Sequence, residues 1–273
     1  MYPNRANEPK VSGRRQRLAA VLRRSNPFVT VGSASAALRI DERRAAKLLA
    51  GWSKQGWLKR VRRGLYAPVP LDSLAAQFVM EDPWLLVPRL FDPGYIGGWT
   101  AAEHWDLTEQ IFRSICVVTA RPMRRRQHTI LGVPFFVKRV SADALFGTRS
   151  IWRGQVKISI SDAARTIVDM LDDPALGGGI LHVYDCLRRY LASQEAQTEI
   201  LLEYADRLGN GAVFKRLGFL VSSIRGTDAL AAACLLRLTA GNAKLDPALP
   251  CPRLVKKWRL WIPSRWKANV PRD

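Results

Sequence analysis

The chain has 273 residues, 48% of them hydrophobic, with nine Trp and a formal net charge of +20. That length can bury one sizeable core and a second small one, and the apolar content excludes a disordered protein. The excess charge points to a polyanion, with nucleic acid ahead of a membrane surface. No apolar run reaches the ~18 residues of a membrane span, and residues 1–10 lack the apolar stretch of a secretory signal, so a cytoplasmic protein with no membrane partner is expected. Cys116, Cys186, Cys234 and Cys251 are single and far apart, and there are only three His, so neither a metal site nor a cofactor is expected.

The charge is concentrated at the start. Residues 1–70 carry 16 Lys/Arg against Glu8, Asp41 and Glu42, a net +13, and the rest of the chain only +7. Residues 1–12 read as a flexible basic arm. A helical pattern then begins at Arg14, with Leu18, Val21 and Leu22 on one face, and Asn26-Pro27 ends it. A short alanine-rich helix is predicted around 33–38. Asp41 is placed to cap a third helix that runs to about Gln55 and stops at Gly56.

On that third helix Ala45, Leu48, Leu49 and Trp52 fall in one apolar stripe. Arg43, Lys47 and Lys54 fall opposite it, with Arg44 to one side. Trp57-Leu58-Lys59-Arg60-Val61, Arg62-Arg63 and Gly64-Leu65-Tyr66-Ala67 then read as two strands around a tight basic turn. Helix, short helix, basic helix and basic hairpin is the order of a winged helix-turn-helix over residues 13–70. In that architecture the third helix enters the major groove and the hairpin follows phosphates or the minor groove. The candidate DNA contacts are therefore Arg43, Arg44, Lys47, Lys54, Lys59, Arg60, Arg62 and Arg63 on double-stranded DNA. Pro68 and Pro70 end the unit.

Residues 71–273 read as a larger α+β domain, giving an α+β fold overall. A helix is predicted at 73–80, strands at 115–119, 129–131, 133–139 and 156–160, and a last strand at 258–262. Helices are predicted at 164–171, 180–191, 194–208, 212–221 and 228–238. In the 212–221 helix Val213, Phe214, Leu217 and Leu220 make an apolar stripe, with Asn210 as a cap and Lys215 and Arg216 outside.

Segments that suggest catalysis are weak. Glu103-His104-Trp105-Asp106 has no second ligand cluster and reads as helix surface with Trp105 buried. Gly177-Gly178-Gly179 lacks the Gly-Lys-Ser/Thr of a phosphate loop and reads as a hinge before a helix. Ser159 and Ser161 sit in no nucleophile elbow. The Glu-x-Lys triplet of a nuclease occurs only as Glu8-Pro9-Lys10, in the arm. Arg121, Arg124, Arg125 and Arg126, with Lys138 and Arg139, form a candidate second DNA contact. A further basic group is Arg253, Lys256, Lys257, Arg259, Arg265 and Lys267.

From Tyr95 the run Tyr-Ile-Gly-Gly-Trp-Thr-Ala-Ala-Glu-His-Trp-Asp-Leu resembles the AbiEi antitoxins of type IV toxin–antitoxin systems. The resemblance continues from Ile160-Ser161 to Asp169-Met170-Leu171, at Gly177-Gly178-Gly179-Ile180, and at Tyr204-Ala205-Asp206-Arg207-Leu208-Gly209-Asn210. It returns from Ala212 to Phe219, at Leu245-Asp246-Pro247 and at Trp258-Arg259-Leu260. It implies a winged helix joined to a C-terminal antitoxin domain, and repression of the protein's own operon through inverted repeats in the promoter. It also implies opposition to a nucleotidyltransferase-type toxin, commonly without a stable complex, and a contribution of the second domain's basic residues to DNA binding. The expected protein is thus a non-enzymatic DNA-binding antitoxin. The alternatives are an ordinary winged-helix regulator whose second domain senses a ligand or oligomerises, and a DNA-modifying enzyme.

Overall fold

The computed structural model describes residues 13–25, 27–69, 80 and 82–266. The arm 1–12, Asn26, Pro70, residues 73–79 of the expected helix and Lys267 lie outside the described residues. The fold is α+β, in two compact units: Met1–Asp82 with Ile130–Gly132 and Gly154–Val156, and the remainder of the chain.

The first unit is a winged helix. It runs α1 (Arg14–Arg24), β1 (Val29–Thr30), α2 (Val31–Leu38), α3 (Glu42–Lys54), β2 (Leu58–Arg62) and β3 (Leu65–Pro68), with an antiparallel sheet in the order β1-β3-β2. Its core joins Val21 of α1, Ala34 of α2, and Ala45, Leu49 and Trp52 of α3 to Val29, Leu58 and Tyr66 of the sheet. Helix α2 starts ahead of the alanine run because Thr30 and Ser33 cap it reciprocally. Ser33 N–H donates to Thr30 Oγ1 at 3.0 Å, and Thr30 N–H donates to Ser33 Oγ at 2.9 Å.

The second unit opens with a 3-10 turn (Pro83–Leu86), α4 (Val87–Leu90), β4 (Gly94–Ile96) and α5 (Gly98–His104). Strands β5 (Ile115–Thr119), β6 (Gln127–Ile130), β7 (Val133–Arg139), β8 (Thr148–Arg153) and β9 (Val156–Ser161) complete a six-stranded sheet in the order β6-β7-β5-β4-β9-β8. The sheet is mixed, since β4 pairs antiparallel with β5 but parallel with β9, and β5 pairs parallel with β7. Helices α6 (Ala163–Asp172), α7 (Ile180–Ala192), α8 (Thr198–Leu208), α9 (Gly211–Val221) and α10 (Asp228–Leu236) follow. A small sheet closes the unit, ordered β10 (Ala243–Lys244), β12 (Leu260–Ile262), β11 (Arg253–Val255).

Helix α6 is the hub, buried from Ala163 to Leu171 and packed against α5, α7, α8 and α9. A helix buried all round must partner its charges internally. Arg165 Nε donates to Asp169 Oδ1 at 3.0 Å, the Tyr95 hydroxyl donates to Asp169 Oδ2 at 2.8 Å, and Arg165 Nη2 donates to the Ala144 carbonyl at 3.0 Å. Burial pushes the Asp169 carboxyl up from its ordinary range, and Arg165 opposes that rise.

Helix α9 corrects one expectation. Its stripe of Val213, Phe214, Leu217 and Leu220 is buried, and Asn210 Oδ1 accepts the Ala212 N–H at 3.1 Å. Lys215 and Arg216, expected on the outside, are only 3% and 4% exposed. Lys215 Nζ donates to the Ala240 and Gly241 carbonyls at 3.3 and 3.0 Å. Arg216 Nη1 donates to the carbonyls of Leu171 and Asp172 at 2.7 and 2.9 Å. These last carbonyls end α6, where helical partners run out and the macrodipole is negative. A cation buried there is structural.

Candidate nucleic-acid interface

Helix α3 is fixed at its start by Asp41, whose carboxylate accepts the Arg44 N–H at 2.9 Å. It is fixed along its length by Ala45, Leu49 and Trp52, all buried at helical spacing. The opposite face is exposed at Arg43, Lys47, Ala50 and Lys54, which recur at i, i+4, i+7 and i+11. Three cations flank one methyl side chain on a single stripe. Arg44 is also exposed, but its guanidinium Nε lies 3.3 Å from Asp41 Oδ2.

The wing is a hairpin whose pairing fixes which side chains project. Leu58 opposes Pro68, Lys59 opposes Ala67 and Arg60 opposes Tyr66, and the register then shifts so that Arg62 opposes Leu65. Val61 is the extra residue of that bulge, and Arg63-Gly64 forms the turn. Gly64 has φ +78, a conformation that only glycine adopts without strain, so the tight turn depends on it. Leu58, Leu65, Tyr66 and Ala67 are buried, with Leu58 and Tyr66 in the core, whereas Lys59, Arg60, Arg62 and Arg63 are exposed. All eight cations predicted in this region are therefore on the surface of the first unit, four on α3 and four on the wing.

Sequence reading did not single out the exposed arginines of α1. Arg14, Arg15, Arg17, Arg23 and Arg24 are all exposed, and a cavity of about 230 Å³ is lined by Arg14 and Arg17 of α1 with Leu48, Gly51, Trp52 and Gln55. The signal was present, since the residues preceding Leu18 are mostly arginine.

The basic cluster of the second unit is divided. Arg124, Arg125 and Arg139 are exposed and Arg121 is half-buried. Arg126 Nη2 donates to Asp173 Oδ2 at 2.5 Å, with its guanidinium 4.8 Å from the Phe136 ring centroid, and Lys138 pairs with Asp172. The reason lies in α6, which ends in two carboxylates where its dipole already places negative charge, so cations are held there. Arg126 and Lys138 are thus engaged within the unit. In the C-terminal group Arg253, Lys256, Lys257, Arg259 and Arg265 are exposed, with Arg259 Nη1 donating to the Thr239 carbonyl at 3.1 Å.

The segments weighed for catalysis have structural partners. His104 packs edge-on against Trp84 and Trp105, and burial, then Arg153, lowers its pKa. Trp105 is half-buried, and its Nε1 donates to the Ser161 carbonyl at 2.7 Å. The Ser161 hydroxyl lies 2.7 Å from Thr166 Oγ1 in the core. The three glycines at 177–179 link a 3-10 turn (Pro174–Gly177) to α7. Among the described residues no cluster of three or more His, Cys, Asp or Glu could hold a metal ion, and no helix is long and apolar enough to cross a membrane.

No known family model and no curated protein matches the chain. Among solved structures it is similar to the crystal structure of the RV2827C protein from Mycobacterium tuberculosis, with a TM-score of 0.65 and 18% identity over 91% of each chain. At that identity the likeness shows a shared fold.

Proposed function

We propose that the chain is a sequence-specific DNA-binding repressor that acts as the antitoxin of a toxin–antitoxin pair. The observation that carries the DNA-binding part is the stripe Arg43, Lys47, Ala50, Lys54, exposed along α3 directly opposite its buried face. A helix so presented fits the major groove, where arginine and lysine bond guanine edges or phosphates and an alanine methyl can meet a thymine methyl. Lys59, Arg60, Arg62 and Arg63 on the wing supply phosphate or minor-groove contacts beside it. The antitoxin part rests on the AbiEi-like segments of the second unit. In this chain those segments supply the Tyr95–Asp169–Arg165 bonds and the Asn210 cap. Inverted repeats in the chain's own promoter are the proposed DNA, and a nucleotidyltransferase-type toxin the proposed opponent.

The test has two arms. Purified protein is titrated with its own upstream DNA and with random duplex, and the chain is co-expressed with the adjacent reading frame and scored for growth. Preference for the upstream DNA supports the repressor, and rescue of growth supports the antitoxin. A second reading, a regulator whose larger unit senses a ligand, is favoured by one observation: a groove of about 590 Å³ in that unit.

A further inference from the structure

That groove runs between the loop at 107–110 and the outer face of α7, and its size suits a small ligand. At its floor lies His182, only 7% exposed. Its Nδ1 is 2.6 Å from the Gly177 carbonyl, which can only accept, so Nδ1 carries the proton. The other ring nitrogen, Nε2, lies 2.6 Å from Thr108 Oγ1, and Thr108 Oγ1 accepts the Gln110 N–H at 3.0 Å. Phe112 packs on the imidazole with ring centroids 5.2 Å apart. The floor is a fixed, hydrogen-bonded surface.

The walls are charged in balance. Arg188 and Arg189 line the groove with Asp185 and Glu109, beside apolar Leu107, Ala192 and Ile224. A simple anion drawn to the arginines meets two carboxylates, and a simple cation meets two guanidiniums. The complement is a ligand that carries both charges on neighbouring atoms. Asp185 and Arg189 are four residues apart on α7, which sets their Cβ atoms ~5–6 Å apart, the reach of one zwitterion. The carboxylate of Glu109 already rests on Arg189, 2.8 Å from Nη2. Its side chain is 83% exposed, so the pair is weakly held, and it marks where a ligand carboxylate would sit.

We propose that this groove binds a free α-amino acid with an apolar side chain. Its carboxylate takes the place of Glu109 on Arg189, its ammonium meets Asp185, and its side chain packs on Leu107, Ala192 and Ile224. The proposal does not depend on the DNA-binding reading, because its test contains no DNA and its failure leaves operator binding untouched.

The test is calorimetric titration of the full-length protein with leucine, leucinamide, N-acetylleucine and AMP. Leucine is expected to bind, and leucinamide and N-acetylleucine, each lacking one charge, to bind at least about tenfold more weakly. Arg189→Ala and Asp185→Asn, checked for folding by circular dichroism, should lose leucine binding, whereas Glu109→Gln should bind it more tightly by removing the internal competitor. The analogues test the native protein, so the result stands even where a variant misfolds. No heat with leucine, equal binding of leucinamide, or AMP binding abolished by Arg189→Ala would overturn the proposal.

Discussion

The Asp41 carboxylate holds Arg44 twice, accepting its backbone N–H at 2.9 Å and facing its guanidinium Nε at 3.3 Å. One acidic residue thus starts the helix proposed to read DNA and restrains a cation at its first turn. The two roles separate by substitution. Asp41→Ala should cost ~1 kcal/mol through the lost cap, while Asp41→Asn keeps an acceptor and should cost little. Asp41→Asn also removes a negative charge and releases Arg44, so it should bind random duplex more tightly at unchanged stability. Urea unfolding and anisotropy titration check both, and weaker binding by Asp41→Asn would contradict the placement of this end of α3 against DNA.

The α3 stripe and the wing should differ in kind. Arg43→Ala, Arg44→Ala and Lys47→Ala should reduce discrimination between operator and random DNA, by ~1–3 kcal/mol for a base contact. Arg62→Ala and Arg63→Ala should weaken both DNAs alike and flatten the salt slope by about 1 each. Equal losses from every substitution would mean that α3 touches only phosphate.

Three phenols give the second unit an alkaline limit. Burial raises Tyr95, Tyr190 and Tyr204 above their ordinary 10.0, with Tyr204, whose hydroxyl donates to Asp162 Oδ2 at 2.9 Å, pushed up to about 12. The folded protein keeps these protons where the unfolded chain loses them, so stability falls as pH rises from 10 towards those raised values. Tyrosinate absorbance from these residues should therefore appear together with loss of circular dichroism. Ionisation of all six tyrosines with the fold intact would contradict this.

Gly218 tests the packing of α9. A Cβ there would lie 2.0 Å from Trp258 Cζ3, so Gly218→Ala must displace the indole. The expected cost is ~1–3 kcal/mol in urea unfolding, and a neutral result would mean that Trp258 moves freely.

Much of this was legible in the sequence, and what was not has physical causes. The first unit shows itself because helix faces there are either core or solvent, so Ala45, Leu49 and Trp52 against Arg43, Lys47 and Lys54 suffices. The second unit hides its logic because α6 and α9 are buried nearly all round. Arg165, Lys215 and Arg216 look like surface charges and are instead partners of Asp169 and of backbone carbonyls distant in sequence. Strand β8 escaped notice because most of its residues are exposed, which erases the alternation that marks a half-buried strand. The groove of His182 and Thr108 joins residues 74 positions apart, a distance that periodicity cannot bridge.

The first unit is proposed to bind DNA through the cations of α3 and the wing, and such binding must respond to salt. Anisotropy titrations of the intact protein on its own upstream duplex, repeated across salt concentrations, give the slope of log K against log salt. Neutralising roughly six phosphates predicts a slope of about −5, with the upstream duplex bound more tightly than random DNA at every salt. A slope near zero, or no binding to either duplex at low salt, would mean that these cations do not hold DNA.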